Sequence, residues 1–526
     1  MGKKDKAKKG KGAEKTAVKT AKKAASKLKK ELIAKGEEDV ETLIASFVEN
    51  DRKKERVAED LVDPPTARSG CSLLASPDKD LLYLFGGSYF NGSKTFMYND
   101  LFTYNIKKNN WLRLCTPLAP PPRCSQQAVI VAQGGGQIWM FGGEFASPTQ
   151  SQFYHYKDLW CYHVVDKRWE KVDAPGGPSA RSGHRMVTNG KDIFLFGGFH
   201  ESIRDAHYFN DVYRFTITDR QWKKIEPVNN GPSPRSGVQM IMMEGNKILV
   251  YGGYSKEKLG KDAEKGVTHV DMWYLQEDKE VAGKWKWASV KQGGSRPGPR
   301  SGMAVVAGPQ PNRAFFFGGV CDREEDEETI TSVCLADLFM LEADRGVWRE
   351  VTLKQEKTKD SAEPMESALE ELQLVEEQPP SEEIKTDGVF TLKISTATSG
   401  GDNAQGSSGD SSTQLKLDQQ PGRFWPQPRM SACLAVKHGI LYLYGGIFEL
   451  DDKQLTLRDM YSIDVHKMDE WSTLVALNKK ELEWFDSESE DEAEEEEDDD
   501  DDDDDDDDGE DADDDDKDVA MDQGSG

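Results

Sequence analysis

The sequence predicts an all-β fold, arranged as a six-bladed β-propeller with disordered, charged tails. A four-residue hydrophobic run that ends in a glycine pair occurs six times, and regular internal repetition of this kind indicates a repeat architecture. An arginine precedes each run, and an aspartate and then a tryptophan follow it. The glycine pairs are Gly86-Gly87, Gly142-Gly143, Gly197-Gly198, Gly252-Gly253, Gly318-Gly319 and Gly445-Gly446.

The spacing of the recurring residues within each repeat predicts four short strands. One strand follows the arginine, a second ends in the glycine pair, a third starts at the aspartate, and a fourth contains the tryptophan. Four such strands form one antiparallel blade, and blades repeated around an axis leave few exposed sheet edges. The tryptophans are Trp111, Trp169, Trp222, Trp287, Trp348 and Trp471.

The recurring glycines and tryptophans are predicted to be packing residues. Glycine allows close backbone approach near the axis, where a Cβ atom would not fit. An indole ring is large enough to wedge one blade against the next.

The repeat resembles the Kelch repeat in its Arg-Ser-Gly start, hydrophobic run, double glycine, spaced aromatic residue and terminal tryptophan. The resemblance implies a six-bladed Kelch β-propeller with blades 1–5 in residues 61–349 and blade 6 in residues 423–478. Cys124 and Met430 replace the serine that follows the arginine in blades 2 and 6. These departures weaken any role of that serine but leave the fold prediction intact.

Four segments lie outside the predicted blades. The Lys-rich tail, 1–36, and the acidic tail, 479–526, are predicted to be disordered because long blocks of like charge repel each other. Residues 350–422 are rich in Glu, Ser, Thr and Gly and are predicted to be a disordered insertion before the last blade. Apolar residues at helical spacing in 37–60 predict a short amphipathic helix, which either packs on the propeller or awaits a partner. No strand is left over at either end, so blade 6 is predicted to complete itself.

The tails suggest partners of opposite kinds. Thirteen lysines in residues 1–30 fit a nuclear localisation signal, an RNA or ribosome contact, or simply a solubilising tail. Twenty-seven carboxylates in residues 486–518 fit the binding of basic nuclear or ribosomal proteins. Ser487 and Ser489 each precede an acid at the third following position and are candidate sites of acid-directed phosphorylation.

The sequence argues against a membrane protein, a disulfide-stabilised protein and a zinc-binding protein. The sequence has no apolar run near the roughly 18 residues that span a bilayer, so we expect no membrane span and a cytoplasmic or nuclear location. Its seven cysteines are scattered without a C-x-x-C pair, which argues against a disulfide framework or a zinc knuckle. We expect no cofactor.

One face of the propeller is predicted to bind ligands. Strand direction alternates within a blade, so the segments after the glycine pairs and the connections between blades emerge on the same face. The Kelch resemblance implies a binding mouth at the start of each first strand, and a ring of arginines there favours an acidic or phosphorylated ligand. The alternative is that these arginines hold loops and blades together. The arginines are Arg68, Arg123, Arg181, Arg235, Arg300 and Arg429. The acidic tail is expected to leave the propeller from this same face. A further hypothesis is therefore that the tail occupies the binding mouth.

A metal-dependent enzyme is the remote alternative. The resemblance extends to Kelch enzymes such as the plant specifier proteins, which use a Glu, an Asp and a His spaced by threes. Here Glu201, Asp205 and His207 lack that spacing, so His200, Glu201 and Arg204 are interpreted as loop-stabilising or partner-binding residues.

The sequence therefore predicts a non-enzymatic protein-interaction module or adaptor. Kelch adaptors often serve ubiquitin ligases, but no BTB-like or F-box-like domain fits before blade 1, so a separate ligase subunit or a short motif would be required. The open alternative is an assembly factor or chaperone for basic nuclear or ribosomal proteins. Nucleic acid contact is expected only through the N-terminal tail.

Overall fold

A computed structural model describes the propeller and one helix that precedes it. The described residues are 38–54, 57–202, 205–258, 264–279, 281, 283–324, 330–354, 423–450 and 453–477. The predictions for the two charged tails, including Ser487 and Ser489, and for most of the 350–422 insertion lie outside the described residues and stay predictions.

Blades 1–3 follow one another in chain order. Blade 1 holds β1 (Ala58–Val62), β2 (Ser72–Ala75), β3 (Leu81–Phe85), β4 (Ser88–Phe90), β5 (Thr95–Met97), β6 (Leu101–Asn105) and β7 (Asn110–Cys115). Blade 2 holds β8 (Gln127–Val131), β9 (Gln137–Phe141), β10 (Glu144–Ala146), β11 (Phe153–His155), β12 (Leu159–His163) and β13 (Arg168–Val172), with a 3₁₀ turn at Gln133–Gly135. Blade 3 holds β14 (Arg185–Thr188), β15 (Asp192–Phe196), β16 (Phe199–Ser202), β17 (Asp205–Tyr208), β18 (Val212–Thr216) and β19 (Gln221–Ile225).

Blades 4–6 complete the ring. Blade 4 holds β20 (Gln239–Met243), β21 (Lys247–Tyr251), β22 (Tyr254–Lys258), β23 (Glu264–Thr268), β24 (Met272–Glu277) and β25 (Trp285–Ser289). Blade 5 holds β26 (Gly293–Gly294), β27 (Ala304–Ala307), β28 (Arg313–Phe317), β29 (Val320–Glu324), β30 (Ile330–Cys334), β31 (Leu338–Glu342) and β32 (Val347–Glu350). Blade 6 holds β33 (Cys433–Lys437), β34 (Ile440–Leu450), β35 (Lys453–Asp464) and β36 (Trp471–Val475).

The fold class predicted from the sequence is confirmed. The four main strands of each blade are antiparallel and lie in sequence order from the inner to the outer edge. In blade 5 the short strand β26 adds to this sheet by pairing parallel with the outer strand β32. Consecutive inner strands contact each other around the ring, and β33 of blade 6 also contacts β2 of blade 1. The ring is therefore closed by blade-to-blade packing.

The prediction that no strand is left over was wrong in blade 1. β1 pairs antiparallel with the outer strand β7, from Ala58 opposite Cys115 to Val62 opposite Trp111. Leu61 in this added strand is 70% exposed, so β1 lacks the buried apolar face by which the other strands are recognised. The predicted self-completion of blade 6 agrees with the structure, since its four strands all lie between Cys433 and Val475.

The repeat tryptophans form the seams between blades. Each lies on the outer strand of its blade, and its ring packs against the aromatic residue that precedes the glycine pair of the preceding blade. The pairs and their ring-centroid distances are Trp111–Tyr444 (6.2 Å), Trp169–Phe85 (5.1 Å), Trp222–Phe141 (5.6 Å), Trp287–Phe196 (5.5 Å), Trp348–Tyr251 (4.9 Å) and Trp471–Phe317 (6.2 Å). All twelve rings are buried.

The glycine pairs bring neighbouring blades into backbone contact. Gly142 has φ +64°, and a Cβ atom there would lie 2.6 Å from the carbonyl oxygen of Arg181 in the next blade. The N–H of Gly143 donates a hydrogen bond to the same carbonyl oxygen at 3.0 Å. The close approach is thus made to the backbone of the next blade.

The predicted helix is present and packs on the propeller. Helix α1 spans Val40–Arg52, which is shorter than the predicted 37–60 because β1 occupies the end of that range. Asp39 caps its start by accepting a hydrogen bond from the N–H of Glu41 at 2.9 Å. Of the two roles open to this helix, the structure shows the packed one.

We expect Gly142→Ala to destabilise the protein more than Gly237→Ala. Gly237 has nearly the same φ, +62°, but nothing lies within 4 Å of the point that a Cβ atom would occupy there. Both variants should lose about 1–2 kcal/mol for a left-handed alanine. Only Gly142→Ala should lose about 1–3 kcal/mol more for the clash. Urea unfolding followed by tryptophan fluorescence measures the difference, and equal losses would contradict the seam contact.

Candidate functional site

Hairpins project from one face of the propeller, which we call the hairpin face. In blades 1–5 the segment after each glycine pair forms a separate two-stranded sheet: β4–β5, β10–β11, β16–β17, β22–β23 and β29–β30. In blade 6, β34 and β35 simply continue beyond the glycine pair. The four-strand plan predicted from the sequence does not include these segments. They are strands because pairing with each other satisfies their backbone N–H and C=O groups.

The six repeat arginines lie inside the blades. Their side chains are at most 7% exposed. Each guanidinium donates to the carbonyl oxygen of the first glycine of the pair in its own blade. Each also faces the aspartate that starts the third strand region of that blade. The pairs are Arg68–Asp100, Arg123–Asp158, Arg181–Asp211, Arg235–Asp271, Arg300–Asp337 and Arg429–Asp459.

Arg123 shows how completely such a guanidinium is engaged. It donates two hydrogen bonds to the carboxylate of Asp158, at 2.7 and 3.1 Å, and lies 3.8 Å from the ring centroid of Tyr156. Burial alone would raise the pKa of Asp158, but the charge and hydrogen bonds of Arg123, with a hydrogen bond from Trp160, hold that pKa below its usual value. These contacts support the blade-holding role. Ligand binding by the six arginines stays a prediction.

A buried polar cluster joins the hairpins of blades 2 and 3. His155 accepts a hydrogen bond at Nε2 from the N–H of Glu201 at 3.1 Å, and its Nδ1 lies 3.7 Å from a carboxylate oxygen of Glu144. That carboxylate also accepts a hydrogen bond from Ser182 at 2.8 Å. Burial, with the neighbouring His200, lowers the pKa of His155 to about 4. Burial raises the pKa of Glu144. This cluster fixes the relative position of two hairpins.

The three predicted binding residues of blade 3 have different outcomes. The ring of His200 lies 4.7 Å from that of His155, and its Nδ1 is 3.0 Å from the carbonyl oxygen of Ala180, so it supports the loop. Glu201 is exposed and uses its backbone N–H in the cluster. Arg204 lies outside the described residues. Within the described part of the chain, no three His, Cys, Asp or Glu side chains converge closely enough to hold a metal ion.

Helix α1 sits over the hairpins of blades 1 and 2. The side chain of Gln152 accepts a hydrogen bond from the N–H of Val40 at 3.1 Å and donates one to the carbonyl oxygen of Glu38 at 2.9 Å. Asn99 donates to the buried carboxylate of Asp51 at 2.7 Å. The apolar side of the helix packs on a small core formed by these two hairpins.

Four aromatic side chains remain exposed on this part of the hairpin face. Phe47 lies on α1, Phe96 on β5, and Phe153 and Tyr154 on β11, and they are between 37% and 45% exposed. None of these four residues is among the binding residues predicted from the sequence. The exposure of Phe96 follows from strand geometry, in which Thr95 and Met97 face the buried side and Phe96 faces the other side. The sequence indicates this exposure only if the segment is assigned as a strand.

Among the described residues, no helix is long and apolar enough to cross a membrane.

Comparisons with known proteins identify relatives of much of the repeat region. The family described as the KLHDC2/KLHL20/DRC7 Kelch-repeats domain matches residues 52–198 and 201–370. Kelch domain-containing protein 3 from Homo sapiens is 29% identical over 221 residues, which cover 40% of this chain and 54% of that protein. Host cell factor from Drosophila melanogaster is 26% identical over 300 residues, covering 52% of this chain and 18% of that protein.

An enzyme name also occurs among the relatives. N-(sulfonatooxy)prop-2-enimidothioate sulfolyase from Thlaspi arvense is 22% identical over 297 residues, covering 54% of this chain and 79% of that protein. The chain spans about half the length of Kelch domain-containing protein 3, and less of host cell factor.

We expect Asp459→Asn to be far more destabilising than Asp100→Asn. Asp459 and Arg429 are both fully buried and share hydrogen bonds of 2.6 and 2.8 Å, so the variant leaves an uncompensated buried cation, at a cost of about 3–5 kcal/mol. Asp100 is 34% exposed and 3.9 Å from Arg68, so its loss should cost less than about 1 kcal/mol. Urea unfolding of both variants checks this, and similar costs would contradict the blade-holding role.

His155 should make the protein less stable in mild acid. Because its pKa is lowered to about 4 in the folded protein, its contribution is complete above the ordinary histidine value near 6.5 and is lost as the pH falls toward about 4. We expect the loss to approach about 3 kcal/mol by pH 4.

The matched variant is His155→Gln, which cannot titrate but keeps a side-chain acceptor and a donor. Glu144 acts in the opposite direction because its raised pKa favours proton uptake by the folded state. The wild-type chain should therefore lose more unfolding free energy than His155→Gln between pH 7.5 and 5. Parallel pH profiles of the two proteins would show that His155 is not responsible.

Proposed function

Because the chain belongs to the family described as the KLHDC2/KLHL20/DRC7 Kelch-repeats domain, we propose that it is a non-enzymatic protein-interaction module that binds a protein ligand through its hairpin face. The observation that carries the proposal is the exposed aromatic group of Phe47, Phe96, Phe153 and Tyr154. Large aromatic side chains contribute most strongly to binding energy in protein interfaces.

The aromatic group is held in place before any partner arrives. The hairpins of blades 1 and 2 are tied together by a hydrogen bond from the N–H of Thr95 to the carbonyl oxygen of Pro148 at 2.8 Å, and by one from Gln150 to the Thr95 hydroxyl at 2.8 Å. Helix α1 braces the same hairpins through Gln152 and Asn99. A preorganised surface loses little conformational entropy on binding, which favours affinity.

The charged tails support a second candidate function. The segment 486–518 carries twenty-seven carboxylates, which favour basic partners through long-range attraction that salt would screen. In this function the chain is an assembly factor for basic nuclear or ribosomal proteins. Service as an adaptor for a ubiquitin ligase subunit is a further use of the same interaction module.

The experiment is affinity capture of the tagged full-length chain from cells with quantitative mass spectrometry. The test variant combines Phe96→Ser, Phe153→Ser and Tyr154→Ser. The control combines Val165→Ser and Val281→Ser, which remove exposed apolar side chains from turns between third and fourth strands, at the opposite face. The changed aromatic residues are 37–45% exposed, so thermal unfolding of both variants checks that each stays folded under the conditions of capture.

We expect the partner to be lost, at least tenfold, with the aromatic variant and kept with the control. A partner retained by the aromatic variant but lost on removal of residues 486–526 would refute the hairpin-face proposal and favour the assembly-factor function.

A further inference from the structure

The inner strands of the six blades enclose a central channel of about 530 Å³. Residues from β2, β8, β14, β20, β27 and β33 line it. Most of these are apolar or small, and Arg185 of blade 3 is the one charged side chain among the described lining residues.

Arg185 differs from the six repeat arginines in having no carboxylate partner among the described residues. Its one hydrogen bond within them runs from Nη1 to the carbonyl oxygen of His184 at 3.2 Å. Burial lowers the pKa of Arg185 to about 10. Arg185 is only partly buried, so an anion that enters the channel can reach the guanidinium and form charge-assisted hydrogen bonds with it.

The position of Arg185 is defined by the repeat. It lies four residues after Arg181, and the residues at the same position in the other blades are Ser72, Gln127, Gln239, Ala304 and Cys433. Each of these six residues begins the inner strand of its blade. First strands run away from the hairpin face, so this ring of residues lies at the hairpin end of the channel.

The neighbours of Arg185 in this ring suit a carboxylate. Gln127 and Gln239, on the two adjacent blades, each donate one amide N–H to a nearby backbone carbonyl oxygen, at 3.2 and 3.1 Å, and carry a second amide N–H. No acid competes for the guanidinium among the described lining residues. Charge-assisted hydrogen bonds to a carboxylate are the strongest that a guanidinium makes.

The chain carries a dense source of carboxylates that can reach this point. The outer strand β36 ends at Val475, and because strands alternate in direction, it ends at the hairpin face. The eleven residues from Val475 to Asp486 can span about 36 Å when extended, whereas the four strands of a blade cover about 15 Å. A tethered segment of this kind competes at an effective concentration of about millimolar.

We propose that Arg185 binds a carboxylate side chain of the acidic segment 486–518 at the hairpin end of the channel. The resting protein thereby occupies the centre of its own hairpin face, and an incoming ligand displaces the segment. This inference rests on the proposed function only in taking the hairpin face as the ligand face.

The test uses a fluorescein-labelled peptide of residues 486–518 and fluorescence anisotropy in 0.15 M salt, a concentration that screens diffuse attraction. The receptor is the full-length chain in which the acids of 486–518 are replaced by Asn and Gln, so that its length is unchanged. We expect Arg185→Met in this receptor to weaken peptide binding about tenfold. Arg185→Lys, which keeps the cation, should stay within about threefold of the parent.

Lys191→Met is the matched control. Lys191 is an exposed cation of the same blade, in the turn between β14 and β15 at the opposite face, so this variant removes one positive charge away from the channel. We expect its peptide affinity to change less than twofold. The intact chain should bind the labelled peptide at least tenfold more weakly than the neutralised receptor, because its own segment competes.

Folding is checked by thermal unfolding of each variant. Arg185→Met should be at least as stable as its parent in the neutralised receptor, since the arginine pairs with no acid of the described residues. If Arg185→Met lowers stability, its peptide affinity is set aside. The proposal is then tested by comparing the peptide affinities of Arg185→Lys and Lys191→Met. In that comparison, Arg185→Lys must bind the peptide no more than threefold more weakly than Lys191→Met.

Two results would overturn the proposal. Equal peptide affinities of Arg185→Met and Lys191→Met would show that Arg185 is not the site. Equal affinities of the intact and neutralised chains would show that the acidic segment does not occupy it. Neither result depends on the aromatic group. Loss of the partner from the variant with Phe96→Ser, Phe153→Ser and Tyr154→Ser would therefore still support the proposed function.

Discussion

The packing of one indole ring per blade against the preceding blade is the interaction on which the rest of this structure depends. Six equivalent seams bury the apolar faces of the blades, and the seam between Trp111 and Tyr444 joins the last blade to the first. In a repeat architecture each unit buries its apolar surface only against its neighbours, so every seam supports the whole ring. The hairpins emerge directly beside these seams and are therefore carried on a rigid base.

The arginines of this protein fall into two groups that differ in their surroundings. The repeat arginines are buried together with a carboxylate and a carbonyl oxygen of the same blade, so their charge is used inside the fold. Arg185 follows one of them by four residues but has a backbone carbonyl oxygen as its partner. The same side chain thus pairs with an acid inside a blade at one position and lines the channel without an acid partner among the described residues at the other.

The functions proposed for the hairpin face and the charged tails use two modes of recognition that act over different distances. The aromatic group on blades 1 and 2 and on α1 acts at contact, and its geometry is held by hydrogen bonds such as that of Gln152 with α1. In the second candidate function, the charged segments attract partners over a distance that is limited by salt screening. The central channel is where the two modes meet, since it opens on the same face and its described lining carries a single cation.

The sequence by itself determined the number of blades, their four-strand plan and the packing roles of the glycine pairs and tryptophans. Those features follow from local spacing, which repeats six times and so can be compared between copies. Added strand β1 escaped detection because Leu61 and its neighbours have no buried apolar face. Only the tertiary structure decided which aromatic residues stay exposed and which of the described arginines are paired with an acid. Those properties depend on neighbours far apart in the chain: Arg123 meets Asp158, and Arg185 meets no acid of the described residues, because of how strands pack and not because of any local pattern.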